Sequence, residues 1–230
     1  MRPRIIIFDM DGVVTKIRNS WEYLREYFTP GSDRSHTSIL LRKYLEGEIS
    51  YSRWIAEEIR ILISRAKRRI HKEDVVEAYR RVGIYSEIRD LMRIARENNV
   101  ENFAIVSGGV SILARRAGEI LGIREVYANH LVFDERGYLI PGGIPLVEPL
   151  GKDRVIKRIL SRLGLDESES IFIGDSIWDL PGFRVVGYPI ALNCTTCPSE
   201  DKEGYISNII KVENHEELLR VLYKLFRKSP

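Results

Sequence analysis

Residues 4–15 read RIIIFDMDGVVT: the apolar run Ile5 to Phe8 passes straight into two aspartates one residue apart, then a glycine. A short, unbroken run of β-branched and aromatic residues is the pattern of a parallel strand covered on both faces. Asp9 and Asp11 share a side by the two-residue period of a strand, at the point where it leaves the core. The same kind of run returns at Phe103–Val106 before SGG, at Ile171–Ile173 before GD, at Pro189–Leu192, and at Ile209 to Val212. Between these runs, apolar residues recur at three- and four-residue spacing from Val110 to Leu121, from Val155 to Leu163 and from Leu218 to Phe226. Strands alternating with amphipathic helices predict an α/β fold with a Rossmann-like parallel sheet.

One stretch breaks the alternation. Between Ser20 and Asn98 the pattern predicts helices only, at Trp21–Phe28, His36–Leu45, Tyr51–Ser64, Lys72–Val82 and Ser86–Glu97. This is too long for one crossover helix. The expected organisation is a core of residues 1–15 and 85–230 with a helical insert, residues 16–84, standing over the sheet. A smaller β element is expected at Tyr127–Ile140, where Glu135–Arg136–Gly137 suits a hairpin turn.

The 230 residues carry 30% charged and 44% hydrophobic side chains and a formal net charge of +3. That charge is too small to argue for nucleic acid, and no apolar stretch approaches the roughly 20 residues that span a bilayer. The N-terminus shows no signal-peptide pattern, so a cytoplasmic location is expected. The chain has no glutamine, and few thermolabile amides beside many charges suggest a hot-living source. Cys194 and Cys197 in CTTC lack the companions of a zinc site; two free thiols or a local disulfide remain open. The basic run Arg65–Lys72 has no interleaved aromatics and reads as a solvated helix face.

The candidate site lies where the strands end. Ligands in open α/β sheets bind outside the carboxyl ends of the strands, so Asp9, Asp11, Ser107 and Asp175 should converge in one crevice. With Asp179 nearby, up to four like charges would share a small space, which is costly without compensation. An all-oxygen carboxylate set selects Mg2+ or a similar hard ion. Lys152, in GKDRVIKRIL, adds a positive charge at a helix start, where lysine is unfavourable without an anionic partner. Gly108 and Gly109 are expected to open a helix and let backbone N–H groups approach an anion. Metal, lysine, amides and a serine hydroxyl together describe a phosphate site, in which one carboxylate can attack phosphorus and another can move protons.

These residues resemble the haloacid dehalogenase superfamily of phosphohydrolases, over nearly the whole chain. DMDGVVT, IVSGG, GKDRVIKRIL and GDSIWDLPGF resemble its four motifs in order. The resemblance implies that Asp9 is the nucleophile and that Asp11 protonates the leaving oxygen and then activates water. It implies that Ser107, Gly108 and Lys152 hold the phosphoryl group. Asp175, the Asp9 carboxylate and the Asp11 backbone carbonyl would bind Mg2+, with Asp179 in a supporting role. The helical insert is similar to the cap of the phosphoserine phosphatase-like branch, which implies a small phosphorylated metabolite as substrate. Trp178 stands where the family usually has a small or polar residue.

In that branch a glutamate after the first motif and a cap arginine read the substrate's amino and carboxylate groups. Arg18 and Glu58 stand at the corresponding positions here, so both charges are reversed; with a gapped alignment, Arg53 or Arg60 serves instead. The reversal implies that phosphoserine is a poor substrate. Rival readings are a phosphotransferase or mutase, a non-catalytic phosphate-sensing module, and a phospho-accepting receiver, the last of which leaves the insert unexplained.

Overall fold

The computed structural model describes residues 2–197 and 209–228. Its sheet has seven strands: β1 (Ile5–Phe8), β2 (Asn102–Val110), β3 (Glu125–Phe133), β4 (Leu139–Ile144), β5 (Ser170–Gly174), β6 (Tyr188–Leu192) and β7 (Ile210–Val212). The order is β4-β3-β2-β1-β5-β6-β7, parallel except for the antiparallel β3–β4 pair. β1 is the central strand. Ile6 and Phe8 enter one buried cluster while Ile5 and Ile7 enter the other, on the opposite face. Phe103 and Ile105 alternate in the same way with Ala104 and Val106. An unbroken apolar run is what two covered faces require, and each such side chain contributes about 1.5–3 kcal/mol on burial.

One face is covered by α7 (Lys152–Leu163) through Ile156, Ile159 and Leu160. The other is covered by α5 (Glu87–Glu97), α6 (Ser111–Leu121) and α8 (His215–Lys228). Between β1 and α5 lie α1 (Ser20–Phe28), α2 (Ser35–Leu45), α3 (Tyr51–Arg65) and α4 (Lys72–Arg80). The chain leaves and re-enters the sheet region as a paired crossing: Lys16 N–H donates to Gly83 C=O, and Tyr85 N–H to Val14 C=O. α3 lies against β4, where Gly143 has no room for a Cβ beside Ile55. Among the described residues, no helix is long and apolar enough to cross a membrane.

One expectation needs correction. Gly108 and Gly109 do not open a helix. They lie in the last part of β2, where its register against β3 shifts between Val106 and Val110, and α6 begins at Ser111. The β element expected at Tyr127–Ile140 is present as the antiparallel β3–β4 pair, and β3 also pairs parallel with β2, so it continues the main sheet. The hairpin turn itself is present, with Asp134 Oδ1 accepting from Arg136 and Tyr138 N–H.

Asn129 explains why β3 is locked in place. It is fully buried; its Oδ1 accepts from the Leu146 and Val147 amides at 2.8 and 2.9 Å. Its Nδ2 reaches Gly108 C=O at 2.8 Å, Val147 C=O at 2.9 Å and the Tyr51 hydroxyl at 3.1 Å. Truncation would leave several of these buried groups without partners. Asn129→Ala is expected to lower unfolding free energy by about 2–4 kcal/mol, read as a shifted urea midpoint; an unchanged midpoint would refute the role.

Candidate active site

β1, β2 and β5 are parallel with Phe8 beside Ile105 and Ile173, so the residues that follow leave the sheet at one edge. This brings Asp9, Ser107 and Asp175 together. Asp11 is held by its Oδ2, which accepts from Ser20 N–H at 2.7 Å, at the start of α1. Gly12, with φ +75°, turns the chain beside Asp175, where a Cβ would collide with that carboxylate. Ser107 is buried, and its Oγ accepts from Gly109 N–H at 3.1 Å.

Lys152 opens α7 and is buried. Its Nζ lies 2.9 Å from Asp9 Oδ1 and 2.5 Å from Asp179 Oδ1. Burial works against its charge, but Asp179 and Asp9 more than offset this, and its pKa is raised. Asp179 Oδ2 accepts from the Asp175 and Ser176 amides and the Ser176 hydroxyl at 2.9–3.0 Å. One buried ammonium therefore faces four carboxylates. Burial, followed by the charges of Asp9 and Asp179, pushes Asp175 up to about 8. Burial and the Asp9 charge push Asp11 up to about 7. Asp9 is also raised, first by burial and despite Lys152.

Oxygens of Asp9, Asp175 and Asp179 lie within 4.8 Å of one another. Asp179 is saturated by Lys152 and the 175–176 turn. In contrast, Asp11 Oδ1 is buried without a hydrogen-bond partner among the described residues, and Asp9 Oδ1 has only the Lys152 ammonium beside it. Uncompensated negative charge, an unpartnered carboxylate oxygen and an oxygen-only donor set fit a hard divalent cation at Asp9 and Asp175.

Above this floor is a cavity of about 430 Å³. α1 presents Trp21 and Arg25 to it, and α2 presents Thr37 and Leu41, each an i, i+4 pair. α3 presents the stripe Tyr51, Trp54, Ile55 and Glu58. Trp178 and Thr195–Thr196 complete the wall, and Thr196 Oγ1 accepts from Ile177 N–H at 3.1 Å. Cys194 and Cys197 are joined by a local disulfide around that turn.

Arg18 and Glu58 both line the cavity. Arg18 is exposed and has no ion-pair partner among the described residues. Glu58 is buried and spent: Oε2 pairs with Arg25 at 3.0 Å and Oε1 accepts from Trp54 Nε1 at 3.2 Å. The wall thus holds a neutral pair instead of the bare carboxylate expected from sequence. Arg53 and Arg60 do not line this cavity; both pair with Glu57 on the exposed side of α3. In the basic run, Arg68 and Arg69 pair with Asp74 and Asp134. Sequence reasoning missed Trp21, Arg25, Trp54 and Asn129. The i, i+4 spacing of Trp21 with Arg25 was a readable signal for a shared face; the pairing of Arg25 with Glu58 on another helix was not.

Residues 3–187 match the model of the haloacid dehalogenase-like hydrolase family, and the chain belongs to that family. It is 26% identical over 207 residues to a phosphoserine phosphatase of Archaeoglobus fulgidus, covering 89% of this chain and 56% of that protein. A phosphoserine phosphatase of Methanocaldococcus jannaschii is 21% identical over 194 residues, 83% of this chain and 85% of its own. Among solved structures, a haloacid dehalogenase-family hydrolase from Salmonella enterica serovar Typhi superposes with TM-score 0.75 at 18% identity, covering 97% of this chain and 73% of that one. A phospho-aspartyl intermediate analogue of phosphoserine phosphatase gives 0.71 at 19%, covering 96% and 99%. These superpositions show a shared fold.

An aspartate in the unfolded chain loses its proton near pH 4, whereas native Asp175 and Asp11 keep theirs to about 8 and 7. Across that window the native state binds more protons, so without a cation stability falls as pH rises. In chelator at pH 8, Asp175→Asn is expected to raise Tm by about 2–4 °C and to reduce the Tm gain from added Mg2+. A lower Tm for the variant in chelator would contradict the charge crowding.

Proposed function

We propose that the protein is a Mg2+-dependent phosphohydrolase that cleaves a small phosphate monoester through an aspartyl-phosphate. The observation that carries this is the buried Asp9–Lys152–Asp179 array, which leaves Asp9 Oδ1 beside an ammonium at the exit of β1. Asp9 is the nucleophile: its oxygen forms the new bond to phosphorus as the ester P–O bond breaks. Asp11, oriented by Ser20 N–H and with Oδ1 free, donates the proton that the leaving oxygen takes. Its raised pKa suits a general acid near neutral pH. In the second half Asp11 accepts a proton from water as the water oxygen attacks phosphorus and Asp9 is released. Lys152 and Ser107 hold the phosphoryl oxygens, and Asp179 keeps Lys152 aimed. Asp9, the Asp11 carbonyl and Asp175 would hold Mg2+, which supplies charge neutralisation at the phosphoryl group. Such chemistry is mostly positioning and electrostatic stabilisation.

Residues 16–84 act as a cap that excludes water from the reacting centre. The reading extends to a cytoplasmic enzyme of a hot-living organism, supported by the glutamine-free, charge-rich composition and by the local disulfide, since intracellular disulfides are a hyperthermophile trait.

The test is release of inorganic phosphate from small phosphate monoesters, with Mg2+ and with chelator. Asp9→Asn, a near-isosteric amide that cannot form the acyl-phosphate, is expected to lose about three orders of magnitude or more in kcat while keeping native secondary structure by circular dichroism. Full activity in chelator would remove the metal assignment. Phosphate appearing only on an added acceptor alcohol would favour a phosphotransferase.

A further inference from the structure

We propose that the leaving group of the substrate is a planar aromatic or otherwise bulky apolar body rather than an amino acid; this rests on the phosphatase reading above. The chain contains three tryptophans, and all three, Trp21, Trp54 and Trp178, line the cavity over the carboxylate cluster. They come from α1, α3 and the turn after β5, so the convergence is tertiary and not the pattern of one helix face.

The polar edges of the two roof tryptophans are already used. Trp21 Nε1–H donates to Gly108 C=O at 2.9 Å, and Trp54 Nε1–H donates to Glu58. Tyr51 stacks edge-on to Trp54 at 5.6 Å between ring centroids, and Tyr44 lies 5.3 Å from Trp54 on another side. The rings are therefore fixed in orientation before any ligand arrives, which lowers the ordering cost of binding. What they offer a ligand is π-face and ring edge, which reward flat apolar groups.

The charges in the wall point the same way. An amino-acid leaving group brings an ammonium that needs an acidic partner. Asp9, Asp11 and Asp175 are committed to the phosphoryl end, and Glu58 is committed to Arg25 and Trp54. Arg18, which lines the cavity unpaired, adds repulsion for an ammonium. Two roof groups are buried without a partner among the described residues: Arg25 Nε, a donor, and the Thr37 hydroxyl, which can donate or accept. They suit a single oxygen acceptor carried on the apolar body. Tyr51, beside Gly108, and Glu58 are seven residues apart on α3, about 10 Å along the helix, and Trp54 and Ile55 occupy the interval. That interval holds no charged side chain on the cavity face.

The experiment compares kcat/KM for 2-naphthyl phosphate, ethyl phosphate and phosphoserine on the Mg2+-loaded full chain. The 2-naphthyl ester is expected to exceed phosphoserine by about 30-fold or more. Trp54→Ala should lower kcat/KM for the naphthyl ester at least about tenfold more than for ethyl phosphate, mostly through KM. Binding of 2-naphthyl phosphate and phosphoserine to Asp9→Asn protein, followed by tryptophan fluorescence and calorimetry, gives a second readout that needs no turnover. Phosphoserine equal or better in both readouts overturns the proposal and leaves the phosphatase reading intact. No turnover of any ester, with tight binding of the naphthyl ester, overturns the phosphatase reading and leaves the preference for apolar bodies intact.

Discussion

A buried ammonium held between two buried carboxylates is the constraint on which the strand-end cluster depends. Lys152 sits at the first position of α7, where the helix dipole opposes it. Only Asp9 and Asp179 make that position tolerable. Removing one partner of such a pair leaves an uncompensated buried charge, a loss of about 3–5 kcal/mol. The same ammonium fixes where Asp9 can point, and Asp179 in turn braces the turn that carries Asp175. The ends of β1 and β5 and the start of α7 are thus tied through one nitrogen. The tie is also short of charge, since one cation cannot neutralise four carboxylates. Burial first, and this repulsion after it, raise the pKa values of Asp9, Asp11 and Asp175.

Much of this was legible in the sequence because it is local or periodic. β1 was readable since both faces are buried, so every residue from Ile5 to Phe8 is apolar, and its register follows from the parallel sheet. Asp9, Asp11, Ser107, Lys152, Asp175 and Asp179 each stand beside a strand end or helix start, and the sheet collects them without further information. The end of β2 was not readable. Ser107, Gly108 and Gly109 look like a helix opening, yet the register shift against β3 keeps them extended as far as Val110. Membership of β3 in the main sheet depends on Asn129, a polar residue whose partners lie far along the chain. Glu58 was placed correctly in the cavity wall but with the wrong charge balance, because Arg25 reaches it from a helix more than thirty positions away.

The roof shows how a reaction chemistry and a substrate preference can be assigned to different parts of one chain. The floor is built from strand ends, whose positions the sheet holds rigidly. The roof is built from helix faces, whose side chains can change without touching the sheet. A shared fold at 21–26% identity does not by itself carry a substrate from one chain to another.

Gly108 carries a consequence of its own. Its carbonyl receives Trp21 from α1 at 2.9 Å, Tyr51 from α3 at 3.4 Å and Asn129 from β3 at 2.8 Å. Three donors thus meet on one peptide oxygen next to Ser107, beside the ties that Ser20 makes to Asp11 and Val110. A roof that lifts away must surrender this oxygen to water, and a roof that descends must strip that water off. Exposure of that oxygen and access to the space beneath the roof are then coupled, through donors that carry no formal charge.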